Sequence, residues 1–533
     1  MRSSCAATSG FTRRRGGHVA SLLAVNPRRL TRLASAGAVV ALVLLSGGAT
    51  ASAQDEPSTQ EDASTLTVMA RNLYLGADYT VGLELLPDLA AAAQYMWDQV
   101  ADTDFDVRAE QLAEEVARYQ PDVIGLQEAT VWGCRTGLFG GLTPVFDFTE
   151  QLIAALADVG EEYVVAEADG ELADNPGYEI PAVPFATTVN DPDTFQPIFG
   201  RDTAYCGFQI GDALLVRSEL ADDVVAVGNT EYDERAPIVP VVFTIDRGYT
   251  WADIAVAGTT VRVVTTHLEA YVNEDRPPAG ALQAQQMVED LESTTVPLIV
   301  MGDFNADPRD PRAPGAPNPG EQPVANDACS AQPENPTLET ANVACNAFWT
   351  MLDAGYENAS PDALDPASYT WGTAADLAGP DLDRLEVALE DGNPAGFTER
   401  LDYVFVANGA SPVSTEIFGN EWPDGDDVWE CSSPQQVATT EEASAALAAA
   451  GVGEPITGAG VCLPTDHAGT VAVIDVSAGP SGVVEDPAPP DHDSFRLGLL
   501  AWIGIILGVV VLVLVLLIWG VVAVIRRARR RSQ

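Results

Sequence analysis

Six places in this chain end or open an apolar run with a polar side chain fit for chemistry. Asn72 lies in "STLTVMARNLYL", Glu128 closes "PDVIGLQEA", and His267 closes "VRVVTTH". Asp303 and Asn305 close "VPLIVMGDFN", Asp402 sits in "RLDYVFV", and Asp466-His467 leads into "AGTVAVIDV". Asp and Asn after a strand are ordinary turn formers, so no single position is telling. The histidines are: beyond residue 53 there are only three, His267, His467 and His492, and the first two belong to this set. Asn72, Glu128 and Asp466 offer hard oxygen donors, which suit magnesium or manganese better than zinc. Two histidines with spare carboxylates to orient them add a means of activating water. Together these groups suit hydrolysis of a phosphoester, in which a cation neutralises charge on the phosphoryl group. Asp303 and Asn305 are placed to position the water or hold phosphate oxygens. The chain lacks a G-x-S-x-G elbow, an H-E-x-x-H pair, a phosphate-cradling glycine loop and a dinucleotide fingerprint.

Such groups must be carried by elements. The alternation in "STLTVMARNLYL" predicts a half-buried strand, and "VRAEQLAEEVARYQ" has helical spacing with Leu112, Val116 and Tyr119 on one face. "PDVIGLQEA", "GDALLVRS", "VRVVTTHLEA", "VPLIVMGDFN" and "RLDYVFV" read as further strands, short and rich in branched side chains. Strands interleaved with helices over roughly 410 residues predict one large α/β domain, residues 66–477. Three long stretches, 131–205, 306–347 and 408–462, read as irregular loops around the mouth of the site. Trp132, Phe139, Phe146 and Phe148 are candidates for a lipid-facing rim, with a packed loop core as the plainer alternative.

Both ends of the chain read as targeting segments. Arginines at 28, 29 and 32 precede an apolar stretch, and Ala51-Ser52-Ala53 has the pattern of a cleavage site, so residues 1–53 are expected to be a secretory signal. Residues 54–65 follow as a linker. Near the C-terminus, 478–496 reads as a Pro- and Asp-rich stalk, and Leu497 to Ile525 carries no charge and is long enough to span a bilayer. Five arginines in the tail 526–533 then place the C-terminus in the cytoplasm and the catalytic part outside a cell membrane. Of 27 basic residues, seven lie before residue 54 and five beyond 525, leaving 15 against 78 acidic residues, with no lysine anywhere. A surface of that sign repels polyanions, which argues against a broad nucleic-acid groove. Six cysteines remain after Cys5 is set aside, an even number in an oxidising compartment. Their order suggests Cys134–Cys206, Cys329–Cys345 and Cys431–Cys462, among 15 ways of pairing six.

In this order, the Asn-bearing first strand, "GLQEA", "THL", "GDFN", "AGY", "TW", "RLDYVFV" and "TDH" resemble the endonuclease/exonuclease/phosphatase superfamily, over residues 66–476. The resemblance implies a four-layer α/β/β/α sandwich of two mixed sheets, with the site at one end and magnesium or manganese as cofactor. It also implies that Asn72, Glu128 and Asp466 lie at metal-binding positions, and that Asp303 and Asn305 position water and the scissile phosphate. His267 matches a histidine that contacts phosphate or assists the leaving group. Asp402 matches the carboxylate that orients His467, itself a general base or phosphate-binding group. Arg71, beside Asn72, departs from the nuclease pattern and is a candidate for binding substrate phosphate, or else faces solvent. Substrates consistent with the family are a phospholipid head group, a small phosphoester or a nucleic acid. A catalytically silent surface binding protein would lack one of these groups, and none is lacking. No protein partner is inferred.

Overall fold

The computed structural model describes residues 64–478, apart from 86–87, 181–185, 191–195, 240–242, 271–275 and 315–322. The expected signal, most of the linker, the stalk, the apolar span and the basic tail lie outside the described residues. Among the described residues no helix is long and apolar enough to cross a membrane.

The chain first builds one sheet. Strand β1 (Thr65–Asn72) is followed by helices α1 (Leu89–Asp102) and α2 (Phe105–Tyr119), and then by β2 (Val123–Arg135), parallel to β1. Next come β3 (Thr143–Asp147), α3 (Phe148–Val159) and the long β4 (Thr203–Arg217), antiparallel to β2. A second sheet follows: β5 (Val224–Glu231), β6 (Gly248–Val256), β7 (Thr259–His267), α4 (Ala279–Leu291), β8 (Leu298–Asp303), α5 (Ala347–Asp353) and β9 (Asp402–Ala407). The chain then returns to the first sheet with β10 (Ser411–Phe418), α6 (Pro434–Ala449) and β11 (Gly469–Asp475). The order in the first sheet is β10-β11-β1-β2-β4, with short strands added at β2 and β4, and in the second β5-β6-β7-β8-β9. Both sheets are mixed.

Alternation along each strand decides what the sheets cover. Leu66, Val68 and Ala70 of β1 share one cluster with Val261 and Val263 of β7, Ile299 and Met301 of β8 and Val404 and Val406 of β9. The two sheets therefore face each other through branched side chains. Met69 points the other way, into a cluster with Leu112 and Val116 of α2 and Leu152 of α3. Leu298 and Val300 likewise leave the intersheet core and pack with Ala284 and Met287 of α4. Strands covered on both faces read as continuous apolar runs, which is why "LIVMGD" shows no alternation.

Register then fixes where polar ends meet. In the second sheet His267 lies opposite Asp303, and Asp303 opposite Asp402, across β7, β8 and β9. In the first sheet Asn72 pairs with Gln127, one residue before Glu128. At the other end of β1, Thr65 pairs with Asp475 of β11, so the first and last strands of the domain start and finish at the pole opposite these groups.

Two of the three long stretches differ from the sequence reading. The region 131–205 holds the continuation of β2, the strand β3 and the helix α3, whose N-terminus is capped by Asp147 accepting from the Glu150 N–H at 3.3 Å. Its many Gly, Pro and Asp residues sit between these elements and conceal them. The region 408–462 holds β10 and α6; α6 opens on a Ser433 cap but is mostly Ala, Ser and Thr with Gln and Glu among them, so no apolar stripe marks it. The cysteines pair as their order suggests, Cys134–Cys206, Cys329–Cys345 and Cys431–Cys462. Of the proposed aromatic rim, Trp132, Phe146 and Phe148 are buried, and Phe139 alone stands out, 92 % exposed at the tip between β2 and β3. The packed core accounts for the other three.

Candidate functional site

Local backbone features aim the polar ends into one place. Between Leu126 and Ala129 the β2–β4 ladder shifts register, and Glu128 at that bulge has φ +55°. A left-handed non-glycine residue costs energy and persists only where the surroundings hold it; here it turns the Glu128 carboxylate to accept from the Leu75 N–H. Asn305 is also left-handed, with φ +45°, and its N–H donates to Asp303 Oδ1 at 2.8 Å. Gly302, before them, has φ +139°, and a Cβ there would lie 2.0 Å from the Thr266 carbonyl oxygen. The glycine of "GDFN" is thus required by the closeness of β7.

Asp303 is the hub. Its Oδ2 accepts from Asn72 Nδ2 at 3.1 Å and lies 3.3 Å from His267 Nε2 and 3.7 Å from His467 Nε2. His467 Nδ1 meets Asp402 Oδ2 at 2.9 Å, and the Asp402 N–H in turn donates to Thr370 Oγ1 at 3.2 Å. Asn305 Nδ2 lies 3.0 Å from His267 Nε2 and donates to the Leu268 carbonyl at 2.8 Å. Thr465 Oγ1 donates to the Asn72 carbonyl at 2.9 Å, tying the loop before β11 to the end of β1. Asp466 Oδ2 accepts from Trp371 Nε1 at 3.3 Å.

Glu128, His267, Asp303, Asn305, Asp466 and His467 all line one cavity of about 360 Å³, together with Tyr74, Arg247, Trp371 and Arg384. Asn72 and Asp402 sit behind its wall, fully buried, and touch it through Asp303 and His467. Arg71 is not in the cavity. It is 2 % exposed, paired with Glu115 of α2 at 2.8 Å and donating to the His467 carbonyl. It is neither a solvent-facing side chain nor one free to meet substrate: with its guanidinium spent on a buried carboxylate and a carbonyl, it braces the backbone of His467. The cations that do line the cavity are Arg247 and Arg384, each bonded to a buried acid, Glu269 and Glu399. Neither residue stands in a motif that announces it, although Arg247 directly precedes a strand and Arg384 stacks over Trp371 of "TW" at 4.0 Å.

Charge of both signs is concentrated at the cavity. Burial, then the neighbouring Asp466 charge, pushes the Glu128 carboxyl up, and burial raises Asp466 as well. Burial also lifts Asp303 to about 7, against the pull of His467. For His467 burial opposes the charge, yet Asp402, Asp303 and Asp466 together raise it to about 10. His267 moves the other way, well below its ordinary value, through burial, Arg247 and His467. Two buried carboxylates on one wall, each unfavourable to the other's charge, with an asparagine behind them, form a donor set suited to a hard divalent cation. Asp303, Asp402 and His467 also bring one ligand atom each within 4.8 Å of one another, close enough to share a proton or a cation.

A model of the Endonuclease/Exonuclease/phosphatase family matches residues 99–467. No curated protein matches the chain. Among solved structures, a mannosyl-6-phosphatase from Bacteroides thetaiotaomicron is similar at 14 % identity and a TM-score of 0.37, over 77 % of this chain and 99 % of that one. An endonuclease/exonuclease/phosphatase from Beutenbergia cavernae gives 14 % and 0.38 over 79 % and 73 %. Truncated TDP2 from Caenorhabditis elegans gives 12 % and 0.34 over 77 % and 97 %.

Proposed function

The chain belongs to the endonuclease/exonuclease/phosphatase family, and from that premise we propose that it is a cell-surface phosphoesterase, dependent on a divalent cation and cleaving a phosphodiester in a small phosphoester or a lipid head group. The observation that supports this best is Asp303. One carboxylate is shared by two histidines and Asn72 at a cavity wall where Glu128 and Asp466 also present buried oxygens.

In this reading Glu128 and Asp466, with Asn72 behind them, hold magnesium or manganese, which supplies charge neutralisation at the phosphoryl oxygens. Asp402 fixes the ring of His467 through Nδ1, leaving Nε2 directed at Asp303 and the cavity. While the carboxylates around it keep its proton, His467 offers an N–H to a phosphate oxygen; with that proton released to solvent, Nε2 accepts one from the attacking water and passes it to the leaving oxygen. Asp303 and Asn305 orient that water, Asn305 being itself held by the Leu268 carbonyl. His267 faces the same space from the far side of Asp303.

The sign of the surface favours small or lipid substrates over polynucleotides. Phosphate-tracking grooves need unpaired cations, and the two arginines lining the cavity are bonded to buried acids. The test is to incubate the purified full-length chain with plasmid DNA and sphingomyelin-containing vesicles together, with magnesium or with a chelator, and to identify products by mass spectrometry. Release of phosphocholine only in magnesium is the expected result. Nicked DNA beside intact lipid would make it a nuclease instead.

A further inference from the structure

Arg247 has no part in the mechanism above, yet it is 8 % exposed and stands against a catalytic ring. The β6–β7 register pairs Tyr249 with Thr266, which brings Arg247, just before β6, alongside His267 at the end of β7. Its Nη1 lies 3.0 Å from His267 Nδ1, and its Nε lies 3.2 Å from Glu269 Oε2. Glu269 is 2 % exposed, and its own N–H donates to Gln283 Oε1 of α4 at 2.8 Å. The Glu269 side chain thus holds the guanidinium while α4 holds Glu269.

A guanidinium has donors only. Nδ1 of His267 must then be the accepting nitrogen, and the single proton of the neutral ring sits on Nε2, facing Asp303 Oδ2 at 3.3 Å. Asn305 presents a second donor, Nδ2, 3.0 Å from Nε2, its amide sense fixed by the Leu268 carbonyl; a neutral ring accepts at one nitrogen only, and the charged guanidinium is the stronger of the two donors. His467 has the opposite partner at the same atom, a carboxylate at Nδ1. We propose that Arg247 is a positioning residue that fixes His267 as a dedicated Nε2–H donor to the cavity. This rests on the site proposed above, though not on the identity of its substrate. It also gives "THLEA" a physical meaning: the glutamate two residues past the histidine clamps the arginine that sets it.

The test reads ring nitrogens directly. The full-length chain in detergent, labelled with ¹⁵N-histidine, contains four histidines, and His267→Gln identifies the resonances of interest. Expected is a protonated Nε2 and a bare Nδ1 in the wild type, kept in Arg247→Lys and replaced in Arg247→Met by an imidazolium or an exchanging mixture. A proton on Nδ1 in the wild type, or an unchanged pattern in Arg247→Met, overturns the proposal. If Arg247→Met does not fold, the wild-type spectrum still decides the sense of Nδ1. In a second arm, with bis(p-nitrophenyl) phosphate and magnesium, Arg247→Met and His267→Gln each lower kcat by about 100-fold, and the double variant loses no more than either. Additive losses would mean that Arg247 acts on substrate and not through His267. A wild type without turnover counts against the proposed function and leaves the nitrogen assignment standing.

Discussion

At the scale of single residues, roles divide according to what each side chain touches. His467 bonded to Asp402 is expected to be indispensable: His467→Ala lowers kcat/KM by between about a hundred- and ten-thousandfold, the range ascribed to one acid–base group. Glu128→Ala loses activity through the cation, so raising magnesium should recover part of its rate and none of that of His467→Ala. Both are measured with bis(p-nitrophenyl) phosphate on protein whose circular dichroism matches wild type, and wild-type rates in either would remove the site assignment. The sequence exposed most of this set because apolar runs ended in unusual company, with scarce histidines among it. It misled at Arg71. An arginine beside Asn72 looks available for phosphate, but only the packing of α2 reveals the buried Glu115 that occupies it. Arg247 was illegible for the converse reason: its neighbour in space, His267, is 20 residues away, and no local spacing marks it.

Elements carry the site through a few contacts that admit little change. Gly302→Ala places a methyl against the Thr266 carbonyl and holds alanine at φ +139°, so it should destabilise by on the order of 2–4 kcal/mol. Chemical denaturation checks this; a loss under about 0.5 kcal/mol would show that β7 yields easily. The Cys134–Cys206 bridge closes 72 residues between β2 and β4, and replacing both by serine should cost about 2–4 kcal/mol by the same measurement. Arg108 of α2 is a third fastening. Wholly buried, it donates to the carbonyls of Leu73, Tyr74 and Pro464, joining the end of β1 to the loop that carries Asp466. Most strands were legible as elements because burial on both faces makes their sequences uniformly apolar; β1, expected from its alternation to be half-buried, is covered on both faces as well, by the second sheet and by α2. The pairing of the strands was not legible, since register depends on partners far along the chain. Helices α3 and α6 were missed because their flanks are rich in turn formers and α6 has no apolar stripe, although Asp147 and Ser433 stood at their caps.

For the molecule as a whole, excess negative charge and buried carboxyls act in one direction. Burial, above all, raises Glu115, Asp303 and Glu399 to about 7 and Asp212 to about 8. Each binds its proton more tightly folded than unfolded, so the stability it contributes is full below about pH 4 and is lost as pH rises through 7 to 8. In chelator at constant ionic strength, the thermal midpoint should therefore be higher at about pH 5.5 than at about pH 8.5; the reverse order would mean that these groups ionise freely in the fold. Charge on this scale was countable from composition, whereas its placement inside the fold was not. The pairing of Thr65 with Asp475 has a mechanical consequence. Any mooring attached before residue 64 or after residue 478 pulls on the back of the molecule, and the cavity opens at the front, toward whatever arrives from the medium. A tag or immobilising link placed at either of these ends therefore leaves the approach to the cavity clear.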